Sequence, residues 1–387
     1  MKRQILIVHA SAGAGHRKAA ESIHKAFETL PHSECSVELV NILDLTNPFF
    51  KRSYEQTYLW MITRATWLWG FGYYWFDTPW MRLPVRVLRR ILNGFNSDLF
   101  TRYLEREKYD VIISTHFLAT EVIDDLKKRK RIHASLITVV TDLGAHAFWI
   151  LPDVDYYIAG VEATRLDLEE RGIKKEKIKV LGIPIRESFA RGKDLRKLRE
   201  RMGLKEGVFT VLLIGGGFGV GPIGRIAEQL SSLPIQLLVV CGKNETLYQQ
   251  LVQKSLSAAA MLKPFGYVDN IDELMAVSDC VITKSGGLTV SEALASHLPL
   301  IVIDPIPGQE RKNCEVVVGG GAGVEARNPQ EARMTIQDFM QHPETLQKMR
   351  EKAKGLARPN AAKEIAELAI HLAMSSSSVI GGSHASH

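Results

Sequence analysis

The chain has 387 residues, 45% of them hydrophobic, so it can bury a large core and is long enough for about two domains. This composition excludes a disordered protein, and "MKRQILIV" has too short an apolar run for a signal peptide. The net charge is +6, and the four cysteines lack metal-ligand spacing, so we expect reduced, buried thiols, as in a cytosolic protein.

Apolar runs of strand length alternate with helical patterns along the chain. These runs lie at 4–8, 36–40, 110–114, 135–140, 155–159, 208–214, 236–240, 279–283 and 299–303. The alternation predicts an α/β fold with parallel sheets that are covered by helices on both faces. A charged, turn-rich stretch separates two such sets, so we place a linker at 187–206 between domains 1–186 and 207–355. We expect the polar tail at 375–387 to be flexible and to take no part in either domain.

The first strand leads into a glycine-rich turn, "HASAGAGHRKAAESI", at residues 9–23. Three interpretations compete: a dinucleotide-binding loop, a tight turn with incidental histidines, and an active-site loop with a catalytic base. Gly13 and Gly15 fit the first two positions of the dinucleotide fingerprint, but Lys18 occupies the third glycine position. The free N–H groups of a helix start still suit an anion, and His16 at that start is a candidate general base.

Residues 51–97 form the most unusual region, because they contain five of the six tryptophans and seven Lys and Arg against two acids. The uncharged stretch "ATWLWGFGYYWF" is too short for a transmembrane helix, but Trp and Tyr favour the headgroup level of a membrane. We predict a monotopic interfacial anchor; the alternatives are an aromatic core under a helical insertion and a nucleic-acid-binding surface. The arginines that would attract anionic lipids from one side of a helix are Arg82, Arg86, Arg89 and Arg90.

The second domain contains three further glycine-containing turns after strands. "GGGFGVGP" at 215–222 lacks the GK[ST] of a Walker loop, but its glycines let backbone N–H groups approach a phosphate. In "TKSGGLTVSEAL", Glu292 can bind both hydroxyls of a ribose, or it can form a capping box with Thr289. "IPGQERKN" clusters Gln309, Glu310 and Asn313, which suits the hydroxyls of a sugar but also an ordinary polar loop.

Seven motifs occur in this order: "HASAGAGH", "VVTDLGAHAFW", "GIPIRESF", "GGGFGVGP", "FGYV", "ITKSGGLTVSEAL" and "PIPGQERKN". Together they resemble the monogalactosyldiacylglycerol synthase and processive diacylglycerol glucosyltransferase family. The lipid-II-forming N-acetylglucosaminyltransferase is a more distant relative. The resemblance extends to about residue 372 and implies a GT-B fold, in which two Rossmann-like domains flank a cleft. We also expect a helix at 356–374 to pack back toward the first domain.

The resemblance implies an inverting glycosyltransferase with a nucleotide-sugar donor in the second domain. The backbone at Phe265–Val268 would hold the uracil edge, Glu292 the ribose, and Gln309 and Glu310 the hexose. Phe218 replaces the acid of plant-like members, and "SGGLT" resembles the bacterial glucosyltransferases, so galactose and glucose both remain open. The implied donor-site residues are Gly215, Gly216, Gly217, Gly219, Phe265, Gly266, Tyr267, Val268, Lys284, Ser285, Gly286, Gly287, Leu288, Thr289, Glu292, Gln309, Glu310 and Asn313.

On the acceptor side, His16 falls on the family's glycine-loop histidine, which is the proposed base. We expect Asp142, His146 and Trp149 of "VVTDLGAHAFW" to lie at the acceptor site, where Asp142 orients His16 or shares its role as base. A buried Asp–His pair that only fixes this loop is the alternative. The resemblance implies no catalytic metal, so we attribute the DxD motif at 153–155 to a strand start.

The sequence therefore predicts transfer of galactose or glucose from a UDP-sugar to the hydroxyl of diacylglycerol or a related glycolipid, without a cofactor. The expected partners are the UDP-sugar, the lipid acceptor and an anionic membrane surface, without nucleic acid. The expected location is the cytoplasmic side of the membrane, where the protein is peripheral. Two alternatives stay open: a soluble UDP-sugar glycosyltransferase with a small acceptor, and a UDP-sugar epimerase of the GT-B fold.

Overall fold

The computed structural model describes residues 2–11, 13–30, 34–78, 80–81, 84, 89, 96–216, 221–255 and 261–375. The described strands are β1 (Arg3–His9), β2 (Cys35–Asn41), β3 (Val111–Ser114), β4 (Ser135–Val139), β5 (Tyr156–Ala159), β6 (Ile178–Val180), β7 (Thr210–Ile214), β8 (Gln236–Val240), β9 (Met261–Phe265), β10 (Cys280–Thr283), β11 (Leu300–Ile303) and β12 (Gly323–Ala326). The described helices are α1 (Ala14–Thr29), α2 (Pro48–Arg64), α3 (Thr66–Phe76), α4 (Asp98–Glu107), α5 (Phe117–Lys128), α6 (Glu162–Glu170), α7 (Leu195–Arg201), α8 (Ile223–Leu230), α9 (Glu245–Ser255), α10 (Ile271–Ala276), α11 (Gly287–Ala295), α12 (Gln309–Gly319), α13 (Pro329–Gln341), α14 (Pro343–Leu356) and α15 (Ala361–Ser375).

The chain divides into two compact units. The first comprises Met1–Glu187 together with Arg358–His387, and the second comprises Ser188–Ala357. The first unit is built on a parallel sheet in the order β2-β1-β3-β4-β5-β6. After β2 the chain crosses to β3 on the other side of β1, so the strand order reverses between β1 and β3. Ligands of open α/β sheets bind outside the carboxyl ends of the strands at such a reversal, and the turn with His16 lies there.

Both faces of β1 are buried, which explains its continuous apolar run. Ile5 and Ile7 face α1 and α15, whereas Leu6 and Val8 face the opposite side, where α4 and α5 pack. Alternate side chains of a strand point to opposite faces, so a strand between two helical layers needs apolar residues at every position. The last helix, α15, lies against α1 and the sheet through a face of small alanine side chains.

The second unit has its own parallel sheet, in the order β12-β11-β10-β7-β8-β9. Here the strand order reverses between β7 and β10, so the turns after these two strands lie at the second such point. The predicted α/β class is confirmed, and all nine predicted strands are present. Three strands that the sequence did not reveal, β6, β9 and β12, are all edge strands.

Most of the predicted linker is an integral part of the second unit, which begins at Ser188. Helix α7 lies in this stretch, and Nη1 of Arg199 donates a hydrogen bond to the carbonyl oxygen of Val277 (2.9 Å). The ammonium of Lys193 lies 3.3 Å from the carboxylate of Asp272. The charged residues that suggested a linker therefore make polar contacts within the second unit.

The four cysteines are buried free thiols, as the sequence suggested. Burial raises the pKa of the Cys241 thiol to about 11, so this group stays protonated at neutral pH. Within the described part of the chain, none of the helices combines the length and the apolar character that crossing a membrane requires.

Candidate active site

The glycine turn after β1 determines the position of His16. Gly13 has a φ of 92°, a conformation that favours glycine, and it directly precedes Ala14, the first residue of α1. His16 therefore lies in the first turn of this helix. From there its ring reaches residues that follow β3 and β4, the next two strands of the sheet.

Two threonines contact the ring of His16. Its Nδ1 atom lies 2.8 Å from the carbonyl oxygen of Thr115 and 2.9 Å from Oγ1 of Thr141. A carbonyl oxygen can only accept a hydrogen bond, so Nδ1 carries the ring proton and Nε2 keeps a lone pair. Oγ1 of Thr115 also donates to the backbone carbonyl of His16 (3.0 Å). This arrangement makes Nε2 the atom that can accept a proton from a substrate.

The surroundings of His16 keep its ring neutral. Burial lowers the pKa of His16 to about 4, against the opposing effect of the hydrogen bond to Thr115. The ring of His116 lies 4.5 Å away, measured between ring centroids, and burial also lowers the pKa of His116 well below its ordinary value. Nδ1 of His116 accepts from the backbone N–H of Leu118 (3.1 Å), so this ring caps α5. At neutral pH His16 is therefore in the unprotonated form that a general base requires.

The loop after β4 contains the other residues that were predicted for the acceptor site. Trp149 is buried, with its ring centroid 6.4 Å from that of His16. Asp142 is half-buried, and its charge adds to the effect of burial in raising the pKa of Tyr73. His146 is buried; its Nε2 donates to the carbonyl oxygen of Tyr73 (2.9 Å), and its Nδ1 accepts from the N–H of Phe148 (3.2 Å). Both ring nitrogens of His146 thus hold the backbone of this part of the chain, and the expectation that His146 lines the acceptor site stays a prediction.

A largely buried ion pair joins the end of α3 to the end of α6, and a backbone hydrogen bond attaches it to the same loop. Arg171 donates from Nη1 and Nη2 to the two carboxylate oxygens of Asp77 (2.6 and 2.9 Å). The N–H of Ala147 also donates to Oδ1 of Asp77 (2.9 Å). Burial alone would raise the pKa of Asp77, but the hydrogen bonds and the charge of Arg171 lower it to about 2. Helix α3 is thus fixed to the loop that follows β4.

We expect the Asp77→Asn variant to be less stable than the wild type by about 2 kcal/mol, because Arg171 loses a charged partner in a buried position. The control is Asp98→Asn, which removes an exposed pair with Arg102 and should cost less than about 0.5 kcal/mol. Urea unfolding near neutral pH measures the free energy of unfolding of both variants. Equal losses of stability would contradict a stabilising role for the ion pair between Asp77 and Arg171. The pKa of Asp77 is about 2 in the folded protein and about 3.9 when unfolded, so this stabilisation is present above pH 4 and is lost as the pH falls toward 2.

Helix α3 presents large aromatic side chains to solvent on one side, at the spacing i, i+4, i+7 and i+8. The residues of this aromatic face are Trp67, Phe71, Tyr74 and Trp75, which are 73%, 61%, 47% and 41% exposed. Trp60 and Trp80 are exposed as well, whereas Tyr73 on the opposite side of α3 is buried. An aromatic core under a helical insertion is thus excluded for these rings. Exposed apolar patches of this kind mark interaction surfaces.

One arginine of the predicted basic anchor turns inward. A guanidinium nitrogen of Arg89 lies 2.9 Å from the carboxylate of Glu121, and its central carbon lies 3.9 Å from the ring centroid of Phe148. The prediction that Arg89 faces lipid is wrong, because an ion pair and a cation–π contact direct its side chain toward other residues of the first unit. Arg82, Arg86 and Arg90 lie outside the described residues.

Three glycine-containing turns follow neighbouring strands of the second sheet. Gly215 and Gly216 follow β7, Gly286 follows β10 and Gly308 follows β11, and each turn leads to a helix. The φ angles of Gly216 (69°) and Gly308 (103°) lie in the region that favours glycine. The free N–H groups of helix starts at the carboxyl ends of adjacent strands suit a diphosphate. Two further predicted glycines, Gly217 and Gly219, lie outside the described residues.

Lys284 brings a positive charge to the turn after β7. A Cβ atom at Gly221 would lie 3.3 Å from Cε of Lys284, so the lysine side chain lies directly against this turn. Its ammonium lies 3.7 Å from the carboxylate of Asp304, which is mostly exposed. A cation next to the start of a helix adds to the attraction of that site for phosphate oxygens.

Hydrogen bonds join the turn after β10 to helix α12. Oγ of Ser285 donates to the carbonyl oxygen of Glu310 (2.6 Å), and Nδ2 of Asn313 donates to the carbonyl oxygen of Ser285 (2.8 Å). Ser285 and Asn313 are completely buried, so Asn313 positions the turn. Gln309 and Glu310 form the first turn of α12, where a carboxylate oxygen of Glu310 also accepts from the N–H of Ile306 (2.8 Å).

The start of α11 excludes one of the two interpretations of Thr289 and Glu292. The helix begins at Gly287, and its N-cap is Gly286, without a side-chain hydrogen bond. Thr289 is therefore the third residue of the helix, and a capping box with Thr289 at the N-cap is excluded. Leu288 and Thr289 are half-buried, and Glu292 is only 7% exposed one turn further along. A carboxylate at this place, next to the glycine-containing turns, suits a pair of ribose hydroxyls.

The turn after β9 contains the residues that were predicted for the uracil base. The carbonyl oxygen of Phe265, the last residue of β9, accepts from the N–H of Cys241 (2.8 Å). Gly266, Tyr267 and Val268 follow at the same edge of the sheet as the other turns, and Tyr267 is half exposed. The backbone of this turn is thus near the surface, where a planar base can approach it.

No sequence pattern indicated Thr115 and Thr141 as partners of His16. Thr115 acts through its backbone carbonyl, which no residue type reveals, and the neighbouring carboxylate of Asp142 was the more conspicuous candidate. In the DxD motif, the carboxylate of Asp155 accepts from the N–H of Leu136 (2.6 Å) and pairs with Lys127. The described residues contain no group of three or more His, Cys, Asp and Glu side chains that could hold a metal ion.

Comparison with known proteins identifies the family. The family model described as monogalactosyldiacylglycerol (MGDG) synthase matches residues 16–185, and the family model of the glycosyltransferase family 28 C-terminal domain matches residues 221–365. The processive diacylglycerol beta-glucosyltransferase of Bacillus mycoides (strain KBAB4) is 31% identical over 369 residues, which cover 94% of this chain and 92% of that protein. The chain belongs to the monogalactosyldiacylglycerol synthase and processive diacylglycerol glucosyltransferase family. The family predicted from the seven motifs is thus confirmed, and with it the class of enzyme, a hexosyltransferase.

Solved structures agree on the fold. MurG of Acinetobacter baumannii has a TM-score of 0.60 at 14% identity, over 95% of this chain and 99% of that chain. The UDP-GlcNAc 2-epimerase of Neisseria meningitidis bound to UDP-GlcNAc has a TM-score of 0.58 at 14% identity, over 94% of this chain and 98% of that chain. At these identities the likeness shows the fold alone, and the predicted GT-B fold is confirmed.

Proposed function

We propose that the protein transfers a hexose, glucose or galactose, from a UDP-sugar to the hydroxyl of diacylglycerol or a related glycolipid, with inversion at C1. The observation that carries this proposal is the hydrogen bond from Nδ1 of His16 to the carbonyl oxygen of Thr115, which leaves Nε2 with a lone pair. The names of the diacylglycerol beta-glucosyltransferase relatives support the lipid acceptor. The complex of the Neisseria epimerase with UDP-GlcNAc supports a UDP-sugar as the donor.

In the proposed step, Nε2 of His16 takes the proton of the acceptor hydroxyl while the oxygen of that hydroxyl attacks C1 of the hexose. The bond between C1 and the diphosphate oxygen breaks, and its electron pair leaves with UDP. Attack on the face opposite to the leaving group inverts the configuration at C1. A positioned general base of this kind contributes about 10²- to 10⁴-fold to the rate.

In this proposal the second unit stabilises the departing UDP. The N–H groups at the starts of α11 and α12, together with Lys284, face the charge that develops on the diphosphate. Glu292 binds the ribose, and Gln309 and Glu310 bind hydroxyls of the hexose. With these groups the reaction needs neither a metal ion nor a cofactor.

An assay with purified protein tests this function against its alternatives. UDP-glucose and UDP-galactose are each supplied with and without diacylglycerol micelles, in the presence and absence of a chelator. We expect a hexosyl lipid only with diacylglycerol, and the same yield with the chelator. Loss of activity that Mn²⁺ restores would contradict the metal-free part. A 2-epimer of the UDP-sugar, formed without lipid, would favour the epimerase that the structural likeness also allows.

We further propose that the aromatic face places the protein on the cytoplasmic side of the membrane as a peripheral protein. Its rings are exposed, and α3 is attached to the loop after β4 by the contacts of His146 and Asp77. Trp and Tyr favour the headgroup level, and the exposed Arg52 and Arg64 would be attracted to anionic lipids of the cytoplasmic leaflet. A lipid acceptor would then need to leave the bilayer only as far as its headgroup.

Replacement of both Trp67 and Trp75 by serine should weaken binding to phosphatidylglycerol-containing vesicles about 30-fold, since each buried indole contributes at least about 1 kcal/mol. The control is the double variant Leu166→Ser/Met334→Ser, which removes exposed apolar side chains outside the aromatic face. Co-sedimentation with vesicles measures the binding, which should also weaken as salt screens the arginines. Equal sedimentation of the two double variants would reject the aromatic face as the anchor.

A further inference from the structure

We infer that Thr141 is a positioning residue for the base: together with the carbonyl of Thr115, its hydroxyl holds the imidazole of His16 in the tautomer and orientation that proton transfer needs. This inference rests on the proposed function, because it assumes that Nε2 of His16 receives the acceptor proton.

His16 and its two partners follow three neighbouring strands. His16 follows β1, Thr115 follows β3 and Thr141 follows β4, and these strands are adjacent in the sheet. Thr115 is completely buried and Thr141 is 7% exposed, so both oxygen atoms have fixed surroundings. The two distances to Nδ1, 2.8 and 2.9 Å, are both those of good hydrogen bonds. The proton on Nδ1 is thus shared between two acceptors.

The second acceptor adds what one carbonyl cannot supply. The carbonyl of Thr115 favours the proton on Nδ1, and the hydroxyl of Thr141 adds to this preference; with the carbonyl alone, the ring could tilt about a single hydrogen bond. Oγ1 of Thr141, placed by another strand, restrains this tilt and so fixes the direction of the Nε2 lone pair. A base that is misdirected by even a small angle loses much of its effect on the rate.

Thr141 also acts on the charge that forms during the reaction. When Nε2 takes a proton the ring becomes an imidazolium, and the Nδ1–H then donates from a cation. Hydrogen bonds from charged donors are about twice as strong as neutral ones, so the hydroxyl of Thr141 stabilises the transition state more than the resting enzyme. The neighbouring ring of His116 is neutral, because burial lowers its pKa, and it offers packing rather than charge.

The test compares Thr141→Val, Thr141→Ser and Thr138→Val in the full-length protein. Thr138 is a matched control on β4: it is completely buried, and its hydroxyl has no hydrogen-bond partner among the described residues. With ¹⁵N-histidine labelling, two-bond ¹H–¹⁵N spectra report which nitrogen of His16 carries the proton. The signals of His16 are identified by their loss in His16→Gln, and the remaining histidine signals show that each variant is folded.

We expect His16 in Thr141→Val to populate the Nε2–H tautomer in part, so that its two ring ¹⁵N shifts move toward each other. Its kcat should fall about tenfold at an unchanged KM, because the lost hydrogen bond acts on the charged ring. Thr141→Ser should restore both readouts, and Thr138→Val should match the wild type.

Unchanged ring shifts in Thr141→Val would overturn the inference, whatever the activity. Altered shifts with wild-type kcat would instead overturn the role of His16 as the base, and with it the catalytic effect of Thr141. A wild-type protein that forms no hexosyl lipid at all would refute the proposed function, while the ring shifts would still report whether Thr141 holds His16.

Discussion

Replacement of His16 by glutamine is expected to lower the kcat of hexose transfer about 10³-fold, which lies within the range for loss of a positioned general base. Glutamine is close in size and keeps a polar side chain, but it cannot take up a proton at neutral pH. The affinity for UDP should stay unchanged, because the proposed donor residues all belong to the second unit. Steady-state kinetics with diacylglycerol micelles and calorimetric titration with UDP measure the two effects.

The control for this variant is His133→Gln, since His133 is exposed and follows α5 outside the site. It should retain wild-type turnover. The pH profile gives a second check: burial holds the pKa of His16 at about 4, so kcat/KM of the free enzyme should show no decline near pH 6.5 from this group. A kcat in His16→Gln within threefold of the wild type would exclude His16 as the base.

Replacement of Glu292 by glutamine is expected to raise the KM for the UDP-sugar about 100-fold, with a smaller effect on kcat. A carboxylate that accepts from two ribose hydroxyls makes two charge-assisted hydrogen bonds. Glutamine keeps one acceptor oxygen, so one of these bonds is lost, at a cost of about 1.5–3 kcal/mol. The side chain is almost fully buried on α11, so water cannot easily replace it. Competition by UDP against the labelled donor separates this loss of binding from any effect on the acceptor.

The matched control is Glu344→Gln, because Glu344 lies in the first turn of α14 and is exposed. Thermal unfolding of both variants distinguishes a damaged donor site from a damaged fold. An unchanged KM for the UDP-sugar in a folded Glu292→Gln protein would remove Glu292 from the donor site. A deoxy analogue of the donor ribose should then also bind as well as the parent compound.

The buried strands could be predicted from the sequence, whereas three edge strands could not. A central strand such as β1 is covered on both faces, so its middle positions, from Ile5 to Val8, are all apolar and the run is visible. The edge strands β6, β9 and β12 are covered less, and their polar residues, such as Lys179, Lys263 and Glu325, interrupt the apolar pattern. The edge strand β2 was predicted, because it is longer and its apolar residues Val37, Leu39 and Val40 keep the pattern visible.

The residue types of the site could be predicted from the motifs, but their orientation could not. Thr289 and Glu292 have the spacing of a capping box, and only the start of α11 at Gly287 excludes it. Arg89 has the position of a lipid-facing residue on a helix, yet its partners Glu121 and Phe148 come from distant parts of the chain. Spacing along the sequence gives no access to such tertiary contacts.

The lipid product itself shows whether the protein transfers a hexose to diacylglycerol with inversion. Purified protein is incubated with diacylglycerol micelles and either UDP-α-glucose or UDP-α-galactose, and the extracted lipid is examined by mass spectrometry and by ¹H NMR of the anomeric proton. We expect a hexosyl diacylglycerol with a β anomeric linkage from at least one donor, and none with His16→Gln. An α-linked product, or no glycolipid from either donor, would contradict this expectation.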